Sequence, residues 1–517
     1  MTNRLNTLSL QISGNSGVPQ VTHFIRGVNE KPSGVRHIEV MDPSKGRPVA
    51  YVVPATAAEI DSAVSAAREG FKVWSELSVK QRCQVLMKFR ELMMKESDWF
   101  VDRIVLENGK NKIDALASFL KGIETVDFAC GLPALIGGSV QDVSSGVTCQ
   151  DRRDPVGVVV SIVPFNFPVM VPLWTIPIAL ATGNSIIIKP SEKVPSCVLK
   201  IAELLHIAGV PNGAVGVLQG DAETVRYLST HRGVDAVTFV GSTPVAKAVF
   251  TSATQAGKRA LCLGGAKNHL IAMPDADIEM ASSDIVASFA GSAGQRCMAA
   301  SVLVLVRSEK DYRVSDDPLV KRIILKATQL SPGQQKPGEL GPVIDKIAQA
   351  RMKHIVDISE KENSAQVLLD GRRWMERSPG FWFGPTILLH RNRNDMALKT
   401  EIFGPVLSIL VVESLEDALR IEQESSFGNA ACIYTSSGAV AQKFAMRATA
   451  GMIGVNIGVP VPREPFSFGG SKASKFGIHD ITGDGAIEFF TVRKKVTTKW
   501  TTASQGRKDV VADSFVR

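Results

Sequence analysis

Cys297 lies in the stretch GSAGQRCMAAS (residues 291–301), among small residues that would let a substrate approach the thiol closely. A free cysteine is usually a small buried hydrophobic residue. Arg296, directly before it, would favour the thiolate form if its guanidinium points toward the sulfur. A lone cysteine beside an oxyanion donor is an arrangement for nucleophilic catalysis. We therefore treat Cys297 as a candidate nucleophile toward a carbonyl carbon.

Asn166 is the candidate oxyanion donor. It lies in IVPFNFPVM (162–170), between two prolines and two phenylalanines, directly after a predicted strand. Ligands of open α/β sheets bind beyond the carboxyl ends of the strands. A side-chain amide held there can donate to a developing oxyanion. Taken alone, this residue could equally be a turn asparagine.

Two further stretches could hold a dinucleotide. In AVTFVGSTPVAKAVF (236–250), a strand enters Gly241 and Ser242, and a helix opens after them. Free N–H groups and the helix dipole at such a point attract a pyrophosphate. In IIIKPSEKVP (186–195), Lys189 and Glu192 could grip the two hydroxyls of a ribose. The ordinary alternatives are a capped helix and a surface ion pair of negligible energy.

The elements that must position these residues form an alternating α/β pattern. Short strands rich in Val and Ile alternate with helical segments from residue 156 to 240, and again after about residue 270. This alternation predicts parallel, doubly wound sheets. The predicted helices are a helical region over 56–100, a helix ending at Gly183, another over 195–208, and a helix that carries Cys297 near its end. The predicted strands are 156–163, 185–189, 214–218, 236–240, 270–273, 302–306, 406–412, 431–435, 453–456 and 487–500.

Length and composition exclude several classes of protein. The 517 residues predict two or three domains. The net charge of +8 is spread along the chain without a basic arm, so we expect no nucleic-acid partner. No apolar run is long enough to span a membrane. Seven scattered cysteines without a C-x-x-C pair predict neither a disulfide scaffold nor a metal site, and favour a reducing compartment.

The N-terminal extension (residues 1–17) allows two interpretations. It contains one arginine, several Ser and Thr residues and no acidic residue. This composition suits an organelle transit peptide and a disordered tail equally well. We therefore expect the mitochondrial matrix or, failing that, the cytoplasm.

Taken together, the ordered motifs PFNFP, KPSE, FVGST, GGAKN, GQRC, EIFGP and VN…PFSFGGSK resemble the aldehyde dehydrogenase superfamily over residues 19–500. Within it, GGAKNHLIAMPDAD and GSAGQRCMA are most similar to the methylmalonate-semialdehyde dehydrogenases. The resemblance implies an α/β fold with two doubly wound domains, one NAD-binding and one catalytic, and a β-arm that builds homodimers or homotetramers. The implied boundaries are 18–138 and 157–265 for the NAD-binding domain, 266–465 for the catalytic domain, 139–156 and 483–503 for the β-arm, and 504–517 for a C-terminal tail.

The resemblance also implies residue roles. Cys297 would attack the aldehyde and leave a thioacyl enzyme after hydride transfer to NAD, and Asn166 would hold the oxyanion. Arg296 and Lys121 would bind a substrate carboxylate, although the family has an arginine where this chain has Lys121. The residues implied for the cofactor site are Phe165, Lys189, Glu192, Gly241, Ser242, Leu263, Glu401 and Phe403.

One departure from the family bears on the reaction. Hydrolytic members usually carry a water-activating glutamate where this chain has Leu263. Without that base, attack by water is poor, whereas the thiol of coenzyme A needs less help because it is already partly ionised. We therefore expect a CoA-acylating oxidation of malonate or methylmalonate semialdehyde. The alternatives are a hydrolytic aldehyde dehydrogenase that releases a free acid, and a non-catalytic NAD-binding or structural relative.

Overall fold

The computed structural model describes residues 10–11, 18–309, 311–377 and 379–500. The predicted C-terminal tail (504–517) lies outside the described residues, and so does the N-terminal extension apart from Leu10–Gln11. The structure therefore does not test the transit-peptide interpretation. In the part of the chain that it does describe, no helix is long and apolar enough to cross a membrane.

The first large sheet has eight strands and positions the candidate dinucleotide site. Its five central strands run parallel, and residues on both faces are buried, which explains their unbroken Val and Ile content. The predicted strands at 185–189 and 236–240 are confirmed to the residue. In spatial order the strands are Lys475–Phe476, Arg259–Leu263, Ala236–Val240, Val158–Ile162, Ser185–Lys189, Val215–Val217, His23–Ile25 and Val28–Glu30.

The second large sheet has seven strands and supports the segment that carries Cys297. All neighbouring strands run parallel except the first pair. This confirms the predicted second α/β unit. In spatial order the strands are Ala365–Leu369, Thr386–His390, Val406–Val412, Ala300–Val306, Asn268–Ala272, Ala430–Tyr434 and Met452–Val455.

Helices cover both sheets. The predicted helical region over 56–100 is three helices, because Ser78 caps a new helix and the chain turns again at Glu96. On the side of the first sheet the helices are Ala57–Glu76, Val79–Lys95, Ser97–Asn108, Lys112–Cys130, Leu132–Leu135, Met170–Ala181, Ser196–Ala208, Ala222–Thr230 and Thr243–Gln255. On the side of the second they are Ile278–Ala290, Pro318–Thr328, Lys346–Lys361, Met396–Lys399, Leu415–Glu424 and Gly438–Arg447, with short 3-10 turns at Gly291–Gly294, Val314–Asp316 and Gly371–Glu376.

A separate antiparallel sheet of three strands forms the predicted arm. Its order is Thr491–Lys499, Val147–Pro155 and Ser139–Ser144. The prediction of a strand over 487–500 is wrong in its first part, because Gly483–Phe490 is a helix. Ile487, Phe489 and Phe490 are all buried, so the apolar spacing there could not distinguish a strand from a short packed helix.

The remaining strands are short pairings at the edges. A four-stranded sheet contains Leu10–Gln11, Gln20–Val21, Arg47–Val52 and Ile38–Asp42, and two small ladders pair Ser331–Pro332 with Glu339–Leu340 and Phe427–Gly428 with Ser471–Lys472.

Candidate active site

A cavity of about 470 Å³ lies beyond the carboxyl ends of the parallel strands, between the two large sheets. Its volume is ordinary for a small-molecule site, and its position is the usual one in open α/β sheets. It brings together nine of the residues singled out in the sequence: Phe165, Asn166, Lys189, Glu192, Gly241, Ser242, Cys297, Glu401 and Phe403.

Cys297 lies in an irregular segment rather than on a helix. The prediction that a helix carries it near its end is wrong, because the helix Ile278–Ala290 stops before a short 3-10 turn. Ser292 and Ala293 adopt positive φ values of 54° and 53°. A side chain on Gly294 would lie 2.1 Å from the carbonyl oxygen of Gly404, so only glycine fits there. The chain therefore bends sharply just before the nucleophile.

Two asparagines fix the backbone at Cys297. The side-chain amides of Asn268 and Asn429 donate to its carbonyl oxygen at 2.9 and 2.8 Å. Asn268 also donates to the carbonyl of Ala299 at 2.9 Å. Sequence reasoning gave neither asparagine a role, although Asn268 is part of the GGAKN motif. The pairing could not be foreseen because it joins residues far apart in the chain.

The surroundings of the Cys297 thiol disfavour its thiolate form. Burial raises the pKa of Cys297 to about 12, and the nearby Glu401 carboxylate adds to the increase. The backbone N–H groups of Cys297 and Met298 and the charge of Arg296 act in the opposite direction but do not offset the burial. The expected effect of Arg296, to favour the thiolate, has the right direction, but burial outweighs it.

The guanidinium of Arg296 is directed elsewhere. It donates to the backbone carbonyls of Ala287 and Ser288 at the end of the preceding helix. Its Nε atom is buried and has no hydrogen-bond partner. Arg296 does not line the large cavity, but it shares a small void with Cys297.

Asn166 is held beside the nucleophile segment. Its side chain is 4% exposed, and its Nδ2 atom donates to the carbonyl oxygen of Gln295 at 3.1 Å. A primary amide has two N–H donors, so one remains for a ligand in the cavity. The backbone on either side of this amide is held by Asn108 and Lys110, which sequence reasoning missed.

The helix Thr243–Gln255 points its N-terminus at the cavity. Ser242 is the N-cap residue, yet its hydroxyl makes no capping bond, so it is free to meet a ligand. The Thr243 hydroxyl contacts the loop that contains Gly265, because it accepts a hydrogen bond from the backbone N–H of Gly265 at 2.9 Å. A side chain on Gly241 would lie 2.6 Å from the ring of Phe239. This arrangement can accommodate an anionic group such as a pyrophosphate.

Lys189 and Glu192 form a buried pair at the end of the strand Ser185–Lys189. Their Nζ and Oε2 atoms are 3.1 Å apart. Burial lowers the pKa of Lys189, and Glu192 only partly reverses this effect. Burial alone would raise the pKa of Glu192, but attraction to Lys189 and the hydrogen bonds outweigh it, and the net shift is downward. The pair thus offers a hydrogen-bond donor and an acceptor to neighbouring hydroxyls of a ligand.

Glu401 and Phe403 close the other side of the cavity. Glu401 Oε1 accepts from the backbone N–H of Ala266 at 2.8 Å, and burial raises the pKa of this carboxyl. Phe403 has a positive φ of 54°, which is unusual for a bulky residue, and its ring meets the edge of Phe165 with centroids 5.9 Å apart. Such strain is often stored at functional sites.

An ion pair joins the two halves of the cavity wall. Lys193, from the first half, lies 2.6 Å from Asp345, whose carboxylate also caps the helix Lys346–Lys361 of the second half. Both residues line the cavity.

Comparison with known proteins identifies the family that shares this arrangement. The model of the aldehyde dehydrogenase family matches residues 30–496. This chain belongs to the aldehyde dehydrogenase family. Members of the family are oxidoreductases that act on aldehydes, and the predicted aldehyde dehydrogenase fold is confirmed.

Several relatives cover nearly the whole of this aldehyde dehydrogenase. Malonate-semialdehyde dehydrogenase 1 of Geobacillus thermodenitrificans is 39% identical over 94% of this chain and 100% of its own length. The methylmalonate-semialdehyde dehydrogenase of Oceanimonas doudoroffii superposes with a TM-score of 0.90 at 37% identity, covering 94% of this chain and 99% of that one. A candidate methylmalonate-semialdehyde dehydrogenase of Sinorhizobium meliloti 1021, solved with NAD, gives 0.90 at 36% identity, covering 95% and 99%. These bacterial proteins lend no support to a mitochondrial location.

Besides Arg296, two predicted site residues of this aldehyde dehydrogenase do not line the large cavity. Lys121 lies on the helix Lys112–Cys130 and donates to Glu124 one turn further along. Leu263 is 3% exposed and belongs to the hydrophobic core, although Gly264 and Gly265 directly after it line the cavity. Leu263 therefore presents hydrocarbon, and no proton acceptor, at this position.

Proposed function

We propose that this aldehyde dehydrogenase oxidises malonate or methylmalonate semialdehyde with NAD and transfers the acyl group to coenzyme A, with loss of the substrate carboxylate as CO2, giving acetyl-CoA or propionyl-CoA. The names of the relatives support the substrate class. The observation that carries the CoA-acylating step is the buried Leu263 beside a cavity that contains Cys297.

The chain's own residues would carry the chemistry as follows. Cys297 Sγ attacks the aldehyde carbon and forms a thiohemiacetal. The oxyanion that develops is stabilised by the Asn166 amide, whose second N–H is free, and by the backbone N–H groups next to the sulfur. The two asparagines on the Cys297 carbonyl keep this geometry fixed, so little reorganisation is needed during the reaction.

The residues present fit NAD. The free Ser242 hydroxyl and the helix N-terminus match a pyrophosphate, and the hydrogen-bonded pair of Lys189 and Glu192 matches ribose hydroxyls. Glu401 and Phe403 lie on the Cys297 side, where they would orient the nicotinamide ribose and ring. NAD supplies the hydride acceptor when bound.

Release of the acyl group favours a thiol over water. Leu263 offers no proton acceptor, and water is a poor nucleophile without one. The thiol of CoA, with an ordinary pKa of about 8.5, is partly ionised at neutral pH and attacks the thioester directly. Attack expels the Cys297 thiolate and forms acyl-CoA.

A hydrolytic enzyme that releases a free acid is the second candidate. The observation in its favour is that Glu401, a carboxylate with a raised pKa, lines the same cavity as Cys297. Such a group could serve as a general base for water.

The substrate carboxylate would be recognised by Arg296 and Lys121. The unpartnered Nε of Arg296 supports this assignment, since a buried N–H without a partner is costly until a ligand supplies one. Lys121 would have to exchange its bond to Glu124 for one to substrate.

The deciding experiment measures NADH formation from a panel of aldehydes with and without CoA, with mass spectrometry of the product. We expect sustained turnover only with CoA, and acetyl-CoA from malonic semialdehyde. Cys297→Ala should abolish NADH formation, whereas Cys149→Ala, which removes a partly exposed thiol on the arm, should not. Steady turnover without CoA that yields free acid would favour the hydrolytic candidate.

We also propose that the arm joins copies of this chain into a homodimer or homotetramer. Val140 and Val143 lie on one edge strand of the arm and are 64% and 55% exposed. Exposed apolar residues on an edge strand favour pairing with another chain. Val140→Lys combined with Val143→Lys should shift the protein toward monomer in sedimentation experiments. Val73→Lys, at a comparably exposed helical position, is the control.

A further inference from the structure

Lys110 is a buried lysine that the reaction as described does not use. It is 3% exposed and follows the helix Ser97–Asn108, well outside the motifs that mark the family. Its Nζ donates to the backbone carbonyl oxygen of Asn166 and to Asn108 Oδ1, the latter at 3.2 Å. The same ammonium lies 4.5 Å from the centre of the Phe167 ring. Lys110 thus contacts the oxyanion residue and the residue after it.

Asn108 completes the support from the other side. Its Nδ2 atom donates to the carbonyl oxygen of Phe165 at 2.9 Å. The peptide groups before and after Asn166 are therefore each held by one side chain, Asn108 at the end of the helix Ser97–Asn108 and Lys110 two residues after it. Since the Asn166 side chain is also fixed to Gln295, the direction of its free N–H depends on this backbone support.

Placing an ammonium here is energetically costly. Burial lowers the pKa of Lys110 to about 7, attraction to Asp114 offsets only part of this effect, and Arg296 opposes it. A methionine would fill the same space without desolvating a charge. The Lys110 ammonium is stabilised by its contacts to Asn166, Asn108 and the face of Phe167.

We propose that Lys110 is a positioning residue that aims the Asn166 amide at the oxyanion formed on the substrate carbonyl. It would do so by holding the Asn166 carbonyl and by a cation–π contact that fixes Phe167. This inference rests on the proposed function, because it requires an oxyanion at Cys297.

The test is a double-mutant cycle with a matched control. Lys110→Met, Asn166→Ala and the double variant are compared for the rate of first-turnover NADH formation, at saturating NAD and malonic semialdehyde. The control is Lys200→Met, because Lys200 is also a buried lysine, 4% exposed, with its ammonium 5.5 Å from the centre of an aromatic ring, that of Trp99. Lys200 is paired with Glu96. NAD affinity and thermal unfolding are measured for every variant.

We expect Asn166→Ala to slow the first turnover by about 100- to 1,000-fold, as for loss of an oxyanion donor. Lys110→Met should slow it by about 10- to 100-fold with NAD affinity unchanged, and Lys200→Met should leave it near the unaltered rate. The double variant should be no slower than Asn166→Ala alone, because Lys110 acts only through that amide. If Lys110→Met does not fold, Lys110→Gln takes its place in the same cycle.

Three results would overturn the inference alone while the unaltered protein forms NADH. The first is an equal fall of the first-turnover rate in the Lys110 and Lys200 variants. The second is a double variant whose fall in rate is the product of the two single falls. The third is an unchanged first-turnover rate in Asn166→Ala. Absence of first-turnover NADH from the unaltered protein with every aldehyde would refute the proposed function, and the inference with it.

Discussion

The side-chain amide of Asn268 donates to the backbone carbonyl oxygen of Cys297 at 2.9 Å and so ties the nucleophile segment to a central strand of the catalytic sheet. Asn268 begins that strand, and its Oδ1 also accepts from the backbone N–H of Ala430 on the neighbouring strand at 3.1 Å. One side chain therefore joins two strands and the segment that performs the chemistry.

Replacement of Asn268 by alanine should impair both stability and catalysis. It leaves the buried N–H of Ala430 without its partner, which should lower the free energy of unfolding by about 1–3 kcal/mol. It also loosens Cys297, so the first-turnover rate should fall. Asn456→Ala is the control, since Asn456 makes a comparable pair of bonds to Thr435 but lies outside the cavity lining. Equal first-turnover rates in the two variants would contradict the role given to Asn268.

Leu263→Glu should allow water to replace CoA. A carboxylate placed there would be buried, its pKa would be raised toward neutrality, and it would adjoin the glycines that line the cavity. We expect a several-fold rise in NADH formation without CoA, with free acid as the product, measured by absorbance and mass spectrometry. Leu263→Gln has the same shape without the base and should show no such rise; a similar rise in both variants would mean that the base is not responsible.

The reactivity of Cys297 should increase with pH throughout the neutral and alkaline range. Because burial raises the pKa of its thiol to about 12, the thiolate fraction should grow about tenfold per pH unit between about pH 7 and pH 10. The rate of alkylation by iodoacetamide, followed on the Cys297 peptide by mass spectrometry, should show this slope in the free protein. NAD carries a positive nicotinamide ring, so its addition should lower the pKa and speed alkylation at about pH 8. A plateau in the alkylation rate near pH 8 without NAD would contradict the raised pKa of the Cys297 thiol.

Lys121→Arg should raise kcat/KM for malonic semialdehyde by about 3- to 10-fold and leave propanal unchanged. The planar guanidinium can grip a carboxylate with two bonds, whereas the ammonium offers a point charge. Lys112→Arg, at the start of the same helix, is the control. An equal change in kcat/KM for both aldehydes would contradict the assignment of Lys121 to the substrate pocket.

The fold could be predicted well from the sequence because parallel strands buried on both faces produce unmistakable apolar runs. The strand Val406–Val412 was predicted to the residue for this reason. The prediction failed where local pattern does not determine structure. The helix before Cys297 ends at Gly291, whose ψ is 139°. Ser292 and Ala293 then take positive φ values, which their residue types do not predict.

The candidate site was predictable where motifs place residues at strand ends, as for Asn166, Lys189 and Ser242. It was not predictable where contacts join distant segments. The support of Asn166 by Lys110 spans 56 residues, and the bond from Asn429 to Cys297 spans 132. The effect of burial on the pKa of Cys297 was not predictable either, because a neighbouring arginine in the sequence does not reveal how deeply the thiol is buried.

The pair formed by Lys193 and Asp345 places opposite charges from the two halves of the molecule side by side on the wall of the cavity. Hydrogen bonds from Asn111 to Glu339 and from Gln334 to Val105 join the same halves, so loss of the ion pair alone would not separate them. Mobile ions screen a partly exposed pair of this kind. Concentrated salt would therefore loosen this one contact on the cavity wall while the halves stay joined.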